Sequence, residues 1–144
     1  MINIETKSKQ KLKLRNILHL DDHKIFFDGI SGVLKKEFPN LSLHHIENGN
    51  EALQYVADCL NDKKTIDLII TDIIHPGIDG IEFAKAVREL ENHSNNKIPI
   101  LFITMIDNKG FQQKAKAIEQ VKYLLKNAQG KEIIAAINDL LITI

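Results

Sequence analysis

Asp72 stands where a charge is expensive. It follows the apolar run Leu68-Ile69-Ile70-Thr71 and precedes the turn pair Pro76-Gly77, inside the stretch IITDIIHPGIDG. A short run of this kind reads as a strand buried on both faces, and a carboxylate at its end costs free energy unless something offsets it. Other residues able to do chemistry fall in similar places. Asp21 and Asp22 follow NILHL, Thr104 closes the next-to-last strand in LFITM, and Lys126 follows VKYLL. Carboxylates brought within a few ångströms of one another repel, so in an empty pocket at least one has its pKa raised. A hard divalent cation relieves that repulsion, and Mg²⁺ prefers oxygen ligands while keeping waters and an open position for a phosphoryl oxygen. Lys126 offers a compact positive charge to another phosphoryl oxygen, and Thr104 offers a hydroxyl donor. With such neighbours a carboxylate can attack phosphorus and hold an aspartyl-phosphate.

Singly, each residue has a plainer explanation. An acid pair before a helix commonly caps it, a Thr in a strand is a good β-former, and one Lys is a solvated charge. Their joint placement is what points to a site, and it depends on the elements that carry them.

Those elements alternate along the chain. Asn16 to Leu20 reads as a strand and Ile25 to Phe38 as a helix, with Phe26, Ile30, Val33 and Leu34 at helical spacing. Leu41 to Ile46 alternates like a strand. A helix over Glu51 to Leu60 follows, with Leu53, Val56, Ala57 and Leu60 on one face. The pattern continues with a strand at Ile66 to Thr71 and a helix at Ile81 to Leu90. The polar loop Glu91 to Lys97 leads to a strand at Ile98 to Ile103. A weakly apolar helix over Asn108 to Glu119 precedes a strand at Val121 to Leu125, and the last helix presents Ile133, Ile137, Leu140 and Leu141. Five strand-helix units predict a doubly wound α/β domain, a parallel sheet with helices on both faces. In such sheets ligands bind outside the carboxyl ends of the strands, where strand order reverses. The chemistry-bearing residues all fall at those ends.

Composition narrows the function further. A chain of 144 residues is the size of one domain, and its 19 basic and 19 acidic residues cancel, so overall charge argues for neither nucleic-acid nor membrane binding. The first residues are biased: Lys7, Lys9, Lys11, Lys13 and Arg15 alternate with other residues and lack the apolar core of a signal peptide. They read as a solvated leader. The longest apolar stretch, Ile98 to Ile106, is too short to span a bilayer, so a soluble cytoplasmic protein is expected. Cys59 is alone, which excludes a disulfide framework and makes it a small buried or half-buried hydrophobe.

Together, LHLDDH, TDIIHPGIDG, Thr104 in LFITM and KYLLK resemble the receiver domain of two-component response regulators. The resemblance runs from about Asn16 to Leu141. It implies a basic leader over residues 1–14 and a receiver over 15–144, folded as a flavodoxin-like (βα)5 sandwich with five parallel strands in the order 2-1-3-4-5. DDH and YLLKNA look most like receivers of NarL/LuxR-type transcription factors. By this resemblance Asp72 is the phospho-acceptor. Asp22, Asp72 and the backbone carbonyl of Ile74 ligate Mg²⁺ (or Mn²⁺), and Asp21 holds the metal through water. Lys126 contacts the phosphoryl group, Thr104 moves to bind it, and Tyr123 is the aromatic that turns inward on activation. The implied partner is a sensor histidine kinase or phosphotransfer protein, and the implied consequence is a change in the surface of the fourth helix, fifth strand and fifth helix. The protein would be a phospho-acceptor switch that assists its own phosphorylation and dephosphorylation, rather than an enzyme. Homodimerisation on phosphorylation belongs to the same implication, and DNA would be reached only through an output domain outside this chain.

The departures from that pattern are informative. His75 stands where Met is usual, and reads either as a semi-exposed loop residue or as a titratable group near the phosphoryl site. Met105 follows Thr104 where a small residue is usual. With Ile74 it is expected to narrow the approach to Asp72 and slow hydrolysis of the acyl phosphate. Asn127 follows Lys126, where many receivers have Pro. A phosphatase with an Asp nucleophile would normally carry a second acid at the position of Ile74, and dinucleotide and P-loop readings lack their Gly-rich loops. The alternative from another class is a receiver-like docking module that needs no phosphorylation, which has no physical need for the acid cluster. Because the chain ends directly after the last helix, either a stand-alone receiver or the receiver part of a longer regulator is expected.

Overall fold

The computed structural model describes residues 14–92 and 96–142. The basic residues Lys7 to Lys13 of the leader therefore lie outside the described residues. Five strands, β1 (Asn16–Leu20), β2 (Ser42–Ile46), β3 (Leu68–Thr71), β4 (Ile100–Thr104) and β5 (Val121–Leu125), form one parallel sheet in the order β2-β1-β3-β4-β5. Five helices alternate with them: α1 (Lys24–Glu37), α2 (Gly49–Asn61), α3 (Gly80–Glu91), α4 (Lys109–Lys116) and α5 (Gly130–Ile142). This is the flavodoxin-like doubly wound architecture that the sequence predicts.

The sheet separates two cores. Leu18, Leu20, Ile69 and Phe102 meet Val56 of α2, Phe83 and Val87 of α3, and Ala115 of α4 on one face. Ile17, Leu68, Ile70 and Leu101 meet Ile30 and Leu34 of α1 and Ile133, Ile137 and Leu141 of α5 on the other. Successive residues of β1, β3 and β4 thus alternate between two apolar layers, which is why those strands read as continuous apolar runs. Strands β2 and β5 form the edges and are only partly buried.

Most element boundaries fall within one or two residues of the sequence reading, and the differences have local causes. Helix α2 starts at Gly49 because the Asn48 side chain accepts from the backbone N–H of Asn50 and Glu51. Its buried face is Ala52, Val56 and Cys59, whereas Leu60, expected on that face, is 37% exposed. Helix α3 is capped by Asp79, which accepts from Glu82 N–H at 2.8 Å. It extends through Glu91, which the sequence assigned to a loop. Glu91 is buried because Arg88 pairs with it at 2.7 Å and its other oxygen accepts from Ile98 N–H at 2.6 Å. Arg88 also donates to the carbonyls of Ile98 at 2.8 Å and Glu119 at 2.8 Å. One guanidinium therefore ties α3 to the amino ends of β4 and β5.

Candidate phosphoryl-acceptor site

The first residue after β3 is Asp72, fixed from below by the sheet: its N–H donates to Leu20 O at 3.0 Å. Gly80 explains how the chain can return so close, since any Cβ there would collide with the Asp72 carbonyl. The intervening loop is bolted to the start of α2. Gly49 N–H donates to Pro76 O at 2.8 Å, Ile78 N–H donates to Asn50 Oδ1 at 3.0 Å, and Gly77 adopts φ +81° beside the Asn48 and Asn50 side chains.

The side chain of Asp72 is only 5% exposed, yet it has several donors. Lys126 Nζ lies 2.8 Å from Oδ2 and Ile73 N–H donates to Oδ1 at 2.6 Å. The Thr104 hydroxyl donates a further hydrogen bond to the carboxylate. Burial by itself raises the Asp72 pKa, but the hydrogen bonds from Lys126 and Thr104 outweigh it and hold the carboxyl below its ordinary value. Asp72 is thus an ionised carboxylate, not one pushed upward by its neighbours. Lys126 shows the reciprocal balance: burial lowers it, while Asp72 and Asp21 raise it above the ordinary lysine value.

Asp21 is fully buried, and its Oδ2 lies 3.0 Å from the same Lys126 ammonium without a hydrogen-bond partner. Its Oδ1 accepts from His23 N–H at 2.7 Å. Donor atoms of Asp21, His23 and Asp72 all lie within 4.8 Å of one another, so among the described residues these three form the group able to hold a cation. Asp22 takes a different position, with its side chain 35% exposed and its carboxylate 3.4 Å from His23 Nδ1. Ile74 is 62% exposed at the mouth, and its N–H reaches Asp72 Oδ1 at 3.4 Å. Two buried carboxylates, Asp21 and Asp72, share the single Lys126 ammonium, and the negative charge left over fits a divalent cation.

On the far side of Thr104 the loop before α4 is held twice. Thr104 Oγ1 accepts from Ile106 N–H at 3.3 Å, and the Tyr123 hydroxyl donates to Ile106 O at 2.6 Å. Burial and the charges of Asp72 and Asp107 raise the Tyr123 pKa, keeping the phenol a donor. Met105, between these anchors, is 76% exposed. His75 is buried at 8%, not semi-exposed. Its Nε2 lies 3.4 Å from Thr71 Oγ1, and its ring sits against the Gly49 backbone. The position that departs from the family pattern is part of the loop's anchorage to α2.

Sequence reasoning missed the wall beside the lysine. Phe26 carries the Lys126 ammonium 4.6 Å above its ring, and His45 Nε2 lies 2.7 Å from Asp21 O while stacking on Phe27. His19 is wholly buried with neither ring nitrogen paired, and burial pushes its pKa down to about 3. The visible signal was a polar residue inside the apolar run NILHL.

The family model described as the response regulator receiver domain matches residues 17–138. The chain belongs to the response regulator receiver family. Receivers of two-component systems are phospho-acceptor switches. The cyclic di-GMP phosphodiesterase response regulator RpfG of Xanthomonas campestris pv. campestris is 28% identical over 126 residues, 88% of this chain and 32% of that protein. The uncharacterized transcriptional regulatory protein YesN of Bacillus subtilis is 30% identical over 131 residues, 87% of this chain and 32% of that protein. The chain thus spans about a third of the length of these relatives. Among solved structures, the receiver domain of the histidine kinase CKI1 from Arabidopsis thaliana, complexed with Mg²⁺ and BeF3⁻, superposes with a TM-score of 0.77 at 22% identity, over 92% of this receiver and 94% of that chain. That likeness concerns the fold. No helix among the described residues is long and apolar enough to cross a membrane.

Proposed function

We propose that this receiver accepts a phosphoryl group on Asp72 from a phosphohistidine of a sensor kinase or phosphotransfer protein. The observation that carries the proposal is the Lys126 ammonium bridging Asp72 Oδ2 at 2.8 Å and Asp21 Oδ2 at 3.0 Å, with the Thr104 hydroxyl on the same acceptor carboxylate. A structural ion pair needs one partner, whereas this arrangement assembles a nucleophile, a cation and a hydroxyl donor around one point. In the transfer a carboxylate oxygen of Asp72 bonds to phosphorus, the phosphorus–nitrogen bond breaks, and the imidazole keeps the electron pair. Lys126 and Thr104 then face oxygens of the new acyl phosphate. A bound Mg²⁺ or Mn²⁺ would neutralise phosphoryl charge, held by Asp72, Asp22 and the Ile74 carbonyl, with Asp21 through water. The CKI1 receiver, complexed with Mg²⁺ and BeF3⁻, supports this by analogy.

The output follows from the second half of the site. Pulling Thr104 toward the phosphoryl group strains the loop that Tyr123 holds, and so shifts the population of α4, β5 and α5 surfaces presented to a partner, including a second copy. We further propose a transcriptional output through a domain outside this chain. The DDH and YLLKNA motifs of the NarL/LuxR type and the likeness to YesN support it. The test is incubation with Mg²⁺ and acetyl phosphate or beryllofluoride. Intact mass and gel filtration of the wild type should change, those of Asp72→Asn should not. If no donor, a cognate kinase included, gives an Asp72-dependent change, the chain is a docking module.

A further inference from the structure

The acid pocket contains one donor that phosphoryl transfer does not use. His23 is the residue before α1, but its side chain makes no capping hydrogen bond, so helix initiation does not explain it. Its Nδ1 lies 3.1 Å from Asp21 Oδ1 and 3.1 Å from Lys126 Nζ. A neutral ring can satisfy just one of these, because the carboxylate needs an N–H and the ammonium needs a lone pair. The Lys126 ammonium touches Asp72 Oδ2, Asp21 Oδ2 and His23 Nδ1 together. Three lone-pair groups thus converge on the lysine cation, which marks the point of the pocket where positive charge is held. Asp21 Oδ2 is wholly buried and forms no hydrogen bond of its own, its one compensation being the ion pair with Lys126 at 3.0 Å, so its acceptor capacity faces the same space.

We propose that His23 is a nitrogen ligand that tunes this pocket toward borderline first-row divalent cations such as Co²⁺ or Zn²⁺, beside the hard cation that an all-oxygen set would select. Mg²⁺ gains little from an imidazole, whereas Co²⁺ and Zn²⁺ bind it strongly, so one His among carboxylates changes the ratio of affinities more than either affinity alone. The side chain is 61% exposed, so the ring is open to an ion arriving from solvent. The inference rests on the cation site proposed above, with Asp72 and Asp22 as ligands and Asp21 beside them.

Isothermal titration of the whole chain with Mg²⁺ and, separately, Co²⁺ tests it, with the Co²⁺ visible absorption spectrum as a second readout. The wild type should bind both cations. His23→Ala and His23→Phe should keep the Mg²⁺ affinity, lose at least about tenfold in Co²⁺ affinity, and alter the Co²⁺ absorption bands. An unchanged ratio of Co²⁺ to Mg²⁺ affinity in both variants overturns the proposal while leaving the oxygen site standing. Co²⁺ binding that persists in Asp72→Asn with an unaltered spectrum overturns it too, since the ion then sits on other histidines. If the wild type binds neither cation, the reading of the acids as ligands falls with it.

Discussion

The Tyr123 hydroxyl donates a 2.6 Å hydrogen bond to the carbonyl of Ile106, two residues beyond Thr104. An edge-strand aromatic thereby holds the loop whose other anchor, the Thr104 side chain, also acts on the Asp72 carboxylate. Removing the hydroxyl separates the two ends of this link. Tyr123→Phe should cost about 1 kcal/mol of stability, the net worth of one hydrogen bond. Amide exchange at Ile106 and Asp107 should quicken while labelling of Asp72 persists. Hydrogen exchange with and without beryllofluoride reads both.

Lys126→Met leaves Asp72 and Asp21 as neighbouring buried acids without their cation. Burial then dominates, and the Asp72 carboxyl titrates above its wild-type value, which carbon NMR of labelled aspartate measures directly. A divalent cation should raise the melting temperature of this variant more than that of the wild type, because only in the variant does it supply the missing positive charge.

His19 gives the fold an acid sensitivity. Its folded pKa of about 3 lies below the unfolded value of 6.5, so its stabilisation is complete above 6.5 and is lost as pH falls toward 3, where the unfolded chain takes up a proton that the folded chain refuses. Urea midpoints measured with EDTA should fall across that window in the wild type. His19→Leu should flatten the fall.

Arg88→Ala removes the clamp at the end of the sheet opposite Asp72 and leaves Glu91 buried without its partner. A loss of about 3 kcal/mol or more is expected in chemical denaturation, as for other broken buried pairs. The fraction of folded protein labelled by acetyl phosphate should not change, which separates this structural residue from Lys126.

Several features were already fixed by local chemistry. Alternating strand and helix periods, with apolar runs in β1, β3 and β4, require a parallel sheet covered on both faces, and the polar residues at strand ends name Asp21, Asp22, Asp72, Thr104 and Lys126 as one cluster. Local spacing also sets the caps at Asn48, Asp79 and Asn108, because a cap reads only the next three residues. Which acid meets the ammonium is a different matter. Asp21 and Asp22 are adjacent and chemically identical, and only the direction of the chain leaving β1 buries one against Lys126 and turns the other toward solvent. Glu91 reads as a loop residue until Arg88, one turn earlier on α3, is seen to reach β4 and β5. His75, Phe26 and His19 owe their surroundings to Gly49 of α2, Lys126 after β5 and His45 of β2, each distant in sequence. Periodicity and residue type decide what a segment becomes; packing between segments decides which side chain a charge finally faces.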